Sequence, residues 1–181
     1  MMRYHVMPVK IGKDCFIADT AVLIGDVEIK DRVAIFDGVV LRGDLNSISV
    51  GEGSNIQDNV TFHTEINHAT VLGKNVSVGH NAVVHGAHLG DNIIVGMGAI
   101  VMNGSDIGTG SVIAAGTVVT ENFVSGQRSL IAGVPGKVKR TDDASLEAYA
   151  VGNAQSYDTL RQRHVAGMFQ RVCGKDLHKT D

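Results

Sequence analysis

Residues 89–119 read LGDNIIVGMGAIVMNGSDIGTGSVIAAGTVV, and the reading of this stretch decides the fold. An aliphatic residue returns at every sixth position: Leu89, Val95, Val101, Ile107, Ile113 and Val119. Several are followed by a small residue, as in Leu89-Gly90, Val95-Gly96, Ile107-Gly108 and Ile113-Ala114. Four positions after the aliphatic stands another small or branched residue, such as Ala99, Ser111 or Thr117. An amphipathic helix repeats its apolar residues every three or four positions and a half-buried strand every two, so neither sustains a period of six. A short strand with a turn at its end does. Three such units close a triangular coil of about 18 residues, and coils stack at the inter-strand spacing of about 4.8 Å. The aliphatics point into the prism and the small residues fit its corners.

The phase extends back toward the N-terminus. Ile17, Leu23, Ile29, Ile35 and Leu41 keep it, then Val50, Ile56 and Phe62, then Leu72, Val78 and Val84. Accidental spacing in a glycine-rich β-sandwich would not hold phase for about 15 hexads. The expected fold is therefore mainly β: a single-stranded, left-handed parallel β-helix of hexapeptide repeats. The frame breaks at Leu41–Val50 (nine residues), Phe62–Leu72 (ten) and Val84–Leu89 (five). The second break ejects a short loop at Glu65-Ile66-Asn67-His68, and loops on a rigid scaffold often carry function.

The hexad pattern fades after about residue 120. Gly133-Val134-Pro135-Gly136 reads as a closing turn. Thr141-Asp142-Asp143 offers an N-cap, and Leu146, Ala150, Ala154, Tyr157, Leu160 and Val165 follow a helical stripe. One C-terminal α-helix of roughly 25–30 residues is expected to fold back along the prism. The division expected is a β-helix domain over 1–140, the helix within 141–173, and a tail over 174–181.

Bulk properties narrow the function. Apolar residues make up 44% and charged residues 19%, as in ordinary globular chains. Aromatics are only 4%, with no Trp, so the core must be built from small branched side chains. The net charge of −3 provides no basic field for nucleic acid. No apolar run long enough to span a membrane exists, and Met1–His5 has no apolar signal-peptide core. Cys15 and Cys173 lie in no metal-binding or redox spacing and read as free thiols. The expectation is a cytoplasmic protein with neither nucleic acid nor membrane as partner.

Counting hexads turns sequence offsets into spatial columns. Leu41, Phe62 and Val84 stack, so the residues after them, Arg42, His63 and His85, form one outward column. His63 and His85 are then about 4.8 Å apart along the sheet, and their rings can share an ion at Zn–N distances of about 2.0–2.1 Å. Ile56 and Val78 stack on a neighbouring edge, which sets Asp58 beneath His80. His80 cannot easily join the first column within one chain. In a threefold assembly one chain's first face can meet the next chain's second. The inference is a homotrimer with shared sites, each taking His63 and His85 from one chain and His80 from another. His88 fits no column, and His5, His68, His164 and His178 receive no role in the columns.

The segments Leu41-Arg42-Gly43-Asp44 and Asn55-Ile56-Gln57-Asp58-Asn59, with His63, Gly79-His80 and His85-Gly86, resemble the gamma-class carbonic anhydrases and the ferripyochelin-binding-like proteins. The resemblance covers roughly residues 10–165. It implies a homotrimer with zinc, or iron or cobalt, held by His63, His80 and His85 at each interface. It implies reversible CO2 hydration to bicarbonate by hydroxide on that ion. Gln57 would hydrogen-bond the bound water and Asn55 would orient the substrate side. Arg42 and Asp58 would pair across the interface, and Asp44 would support Arg42 or the ligand shell. Tyr157 and Asn153 on the C-terminal helix would approach the site. The chain departs from the family pattern after His63, where active members carry a longer acidic loop. Only Glu65 and His68 are placed there to move protons, which implies a slow enzyme. Two rivals share the fold: an acyltransferase using acyl-CoA with a histidine as general base, and a non-catalytic metal-binding trimer.

Overall fold

A computed structural model describes residues 7–172. The hexads wind into a mainly β, left-handed parallel solenoid with a single C-terminal helix. The first face of the prism includes Thr61–His63, Val83–His85, Ile100–Val101 and Val118–Val119. The second includes Thr70–Leu72, His88–Leu89, Asp106–Ile107 and Val124–Ser125. Two longer strands, Val22–Ile29 and Val40–Val50, run around the corner and join these faces into one 11-stranded sheet. The third face is an eight-stranded sheet from Phe16–Ile17 to Leu130–Ala132, closed by the antiparallel strand Lys137–Arg140.

The register follows the hexads. Leu41 pairs with Phe62, Phe62 with Val84 and Val84 with Val101. From Ile29 to Val119 every aliphatic of the repeat is buried, at 2% exposure or less. Glycine follows the aliphatic where backbones approach closely: a Cβ on Gly96 would stand 2.4 Å from the amide nitrogen of Ala115 in the next coil.

The prism continues past residue 120, where the hexad pattern fades: Ser125 and Ile131 occupy two further core positions and are both buried, and the fading marks a serine in place of an aliphatic. One expectation about the end of the chain is corrected. The helix spans Ala144–Val165, 22 residues, shorter than expected. Asp143 caps it by accepting from the Ser145 backbone N–H at 3.0 Å, and Gly167, with φ of 68°, turns the chain away after its last residue. Its buried residues are Leu146, Ala150, Ala154 and Arg161, while Val165 is exposed. Arg161 replaces the expected apolar contact by bonding to Asp158 and the carbonyl of Asp14.

The helix lies against the third face. Of the few aromatics, Phe16 and Phe36 pack outside the prism against His164, and Tyr157 meets Phe36 edge-on at 5.9 Å. The expected tail over 174–181, together with Cys173, His178 and Met1–His5, falls outside the described residues.

Candidate metal centre

The strands Thr61–His63 and Val83–His85 pair in parallel, with His63 opposite His85 and Arg42 opposite His63. Phe62 and Val84 point into the core, so strand alternation turns the neighbouring histidines outward. Their ring centroids are 4.8 Å apart, and Nδ1 of His63 faces Nε2 of His85 at 2.9 Å.

The outer nitrogen of each ring is held from behind. Nε2 of His63 lies 2.9 Å from Asp44 Oδ1. Asp44 can reach it because of the nine-residue frame break. Gly43 pairs with Gly25 and Ile48 with Val27, so residues 44–47 bulge from the sheet. Arg42 grips the same carboxylate at 2.7 Å. That guanidinium first, and His63 next, hold the Asp44 carboxyl below its ordinary pKa. Nδ1 of His85 lies 2.6 Å from Oδ1 of Asn103.

These outer contacts fix the inner chemistry. An ionised carboxylate and an amide oxygen only accept hydrogen bonds, so each outer ring nitrogen carries its proton. With both rings neutral the two inner nitrogens face each other with bare lone pairs, so a cation, either a proton or a metal ion, belongs between them. Two nitrogens on one tetrahedral zinc ion lie about 3.3 Å apart, from Zn–N distances of about 2.0–2.1 Å. The observed 2.9 Å is close to that spacing, so the residues present fit a divalent metal.

His80 stands on the corner after Ser77–Val78, above Asp58. Its Nδ1 is 2.9 Å from Asp58 Oδ2. Within one chain it does not join His63 and His85: among the described residues no three His, Cys, Asp or Glu side chains form a metal-holding group. His80 instead borders a cavity of about 450 Å³ between the third face and the helix. Gln57, Tyr149, Asn153 and Tyr157 also line it. Its floor is open because small residues, Gly79, Gly96 and Ala114, occupy the outward column there. Oδ1 of Asn153 is buried without a hydrogen-bond partner among the described residues. Burial, and then the charge of Asp58, push the Tyr157 hydroxyl pKa up.

Asn55 is buried and does not line the cavity. It donates to Ser77 Oγ at 2.8 Å and accepts from Gln57 Nε2 at 3.1 Å, so it holds Gln57 in place. Arg42 and Asp58 each bind a partner within their own chain, Asp44 and His80. Glu65 and His68 close a tight turn through paired backbone hydrogen bonds. His88 is exposed and pairs with Asp106 at 2.8 Å.

Asn103 was missed by reading the sequence. It stacks one coil above Gly86 rather than His85, and its side chain reaches back across Gly86. Extending the column count to the turn residues would have put it one position from His85.

Comparison with known proteins places this architecture. Residues 69–103 and 99–121 match a family model described as the hexapeptide repeat of succinyl-transferase. The chain is 40% identical over 162 residues to gamma carbonic anhydrase 2, mitochondrial, of Arabidopsis thaliana; the match covers 86% of this chain but only 58% of that protein. It is 34% identical to the carnitine operon protein CaiE of Escherichia coli K12, covering 83% of this chain and 78% of that one. Among solved structures, a hexapeptide transferase family protein from Anaplasma phagocytophilum superposes with a TM-score of 0.82 at 40% identity, covering 86% of this chain and 92% of that one.

Proposed function

Because the chain belongs to the hexapeptide-repeat family that includes the gamma carbonic anhydrases, we propose that it is a metal-dependent, gamma-type carbonic anhydrase. The reaction is the reversible hydration of CO2 to bicarbonate, a lyase activity. The observation that carries this reading is the pair of facing nitrogens of His63 and His85, each backed by an acceptor, Asp44 or Asn103.

The working form is a homotrimer in which His80 of one chain completes the pair on another, three times by symmetry. The first face supports this. Ile24 is exposed in the histidine column, and Val22 and Ile100 are exposed in the neighbouring outward column of Thr61 and Val83, apolar positions suited to a neighbouring copy. Three imidazoles suit zinc, with iron(II) or cobalt(II) as alternatives. When bound, the ion supplies Lewis acidity that brings the ionisation of water to about pH 7.

The chain's own residues do the rest. His63, His80 and His85 hold the ion, and Asp44, Asp58 and Asn103 orient their rings. Gln57, tied through Nε2 to Asn55, keeps its carboxamide oxygen for the site. Tyr157 stays protonated, since its pKa is raised, and is a hydrogen-bond donor to a bicarbonate oxygen. Both bonds from Arg42 to Asp44 use Nη1, which leaves other guanidinium N–H groups for the Asp58 of a neighbour. Glu65 and His68, on the turn beyond His63, are the groups placed to carry protons to solvent.

The test is metal analysis of anaerobically purified protein beside a stopped-flow CO2 assay. An ion for each chain and measurable hydration are expected. Fully metallated protein without hydration overturns the enzyme reading. The Anaplasma relative is described as a hexapeptide transferase family protein, so group transfer is the second reading, and an assay with acyl-CoA donors comes next.

A further inference from the structure

Asn103 sits in the turn that follows Ile100–Val101, half-buried. Its Oδ1 reaches the Nδ1 of His85 at 2.6 Å. The path crosses Gly86, where a Cβ would stand 2.7 Å from that same oxygen. Gly86 thus clears the space through which the amide reaches the ring. We propose that Asn103 is a positioning residue: it locks His85 in the tautomer whose Nε2 is bare, and does so without adding charge. This rests on reading His85 as a metal ligand and deepens it.

The contrast with the other two rings gives the amide its meaning. His63 and His80 are each held by a carboxylate, Asp44 and Asp58. A third carboxylate behind His85 would hold the ring equally well. It would also offset more of the ion's positive charge and weaken its pull on water. A side-chain amide offers the same acceptor geometry and stays neutral at every pH. The site therefore combines three fixed rings with only two anions, one of them shared with Arg42.

The experiment uses zinc-loaded trimer labelled with ¹⁵N-histidine, in which long-range ¹H–¹⁵N correlation separates Nδ1–H from Nε2–H rings. His85 is expected as Nδ1–H. In Asn103→Leu that signature is lost, and zinc affinity by chelator competition falls about 10–100-fold, the usual effect of removing an outer-shell partner. Asn103→Asp keeps the acceptor, and both the tautomer and the affinity are retained. Unchanged tautomer and affinity in Asn103→Leu overturn the proposal, and so does an Asn103→Asp protein as impaired as Asn103→Leu. If Asn103→Leu does not fold, Asn103→Ala removes the acceptor without bulk and is judged by the same criteria. Should no form bind zinc, iron(II) or cobalt(II), the metal reading fails. The tautomer in zinc-free protein then still judges Asn103, and Nε2–H in the parent chain overturns its role.

Discussion

His63 and His85 meet because parallel strands in register bring equivalent positions of successive coils together, and a spacing near 4.8 Å suits two imidazoles converging on one ion. What each ring can do is then set by its outer contact, since the proton on one nitrogen determines the other. The separation of His80 from this pair leads to a direct test of the shared site. His80→Ala and His85→Ala homotrimers should each lose most of their metal while keeping trimer mass by light scattering. Mixing the two after joint refolding should restore metal. One interface in each mixed trimer then has both intact halves, and about three quarters of the trimers from an equal mixture are mixed, so about a quarter of all sites recover. A site built within one chain predicts no recovery in metal analysis of the mixture.

At the scale of elements, strand and helix make opposite demands on glycine. Gly96 follows a buried aliphatic, and a Cβ there would strike the backbone of the next coil at 2.4 Å. Gly152 lies exposed within the helix, and a Cβ there meets nothing within 4 Å. Gly152→Ala should raise stability by about 0.5–1 kcal/mol through helix propensity alone. Gly96→Ala should lower it, because the two coils must move apart. Denaturant midpoints of the two variants check this pair, and a stabilising Gly96→Ala would count against the coil spacing described. The hexad count anticipated the columns because each repeat has one strand and one turn. The pattern fades at the hexads of Ser125 and Ile131, although both are buried, because serine carries no apolar signal. The helix was legible as a stripe, but its length was not. Val165 follows the stripe and yet is exposed, because what it faces is set by docking and not by periodicity.

For the whole molecule, the prism presents the His63–His85 pair on one face and His80 at a separate corner. Arg42 stands in the column of the pair, in register with His63 and bonded to Asp44, and in the proposed trimer it meets the neighbouring chain. Arg42→Ala should shift the trimer toward smaller species on dilution, followed by light scattering. It should also loosen the metal, because Asp44 loses the partner that anchors it behind His63. A trimer mass unchanged at all concentrations would remove Arg42 from the interface.

The sequence alone determined the solenoid, the core columns, the pairing of His63 with His85 and the position of Asp58 beneath His80. All of these follow from a repeat whose unit is one strand and one turn, so counting units is the same as measuring space. Only the tertiary structure decided that residues 44–47 bulge to bring Asp44 to His63, that Asn103 reaches over Gly86 to His85, and that a cavity opens between His80 and the helix. Those contacts depend on side-chain reach and on how far the helix stands from the sheet, and neither is written in a period of six.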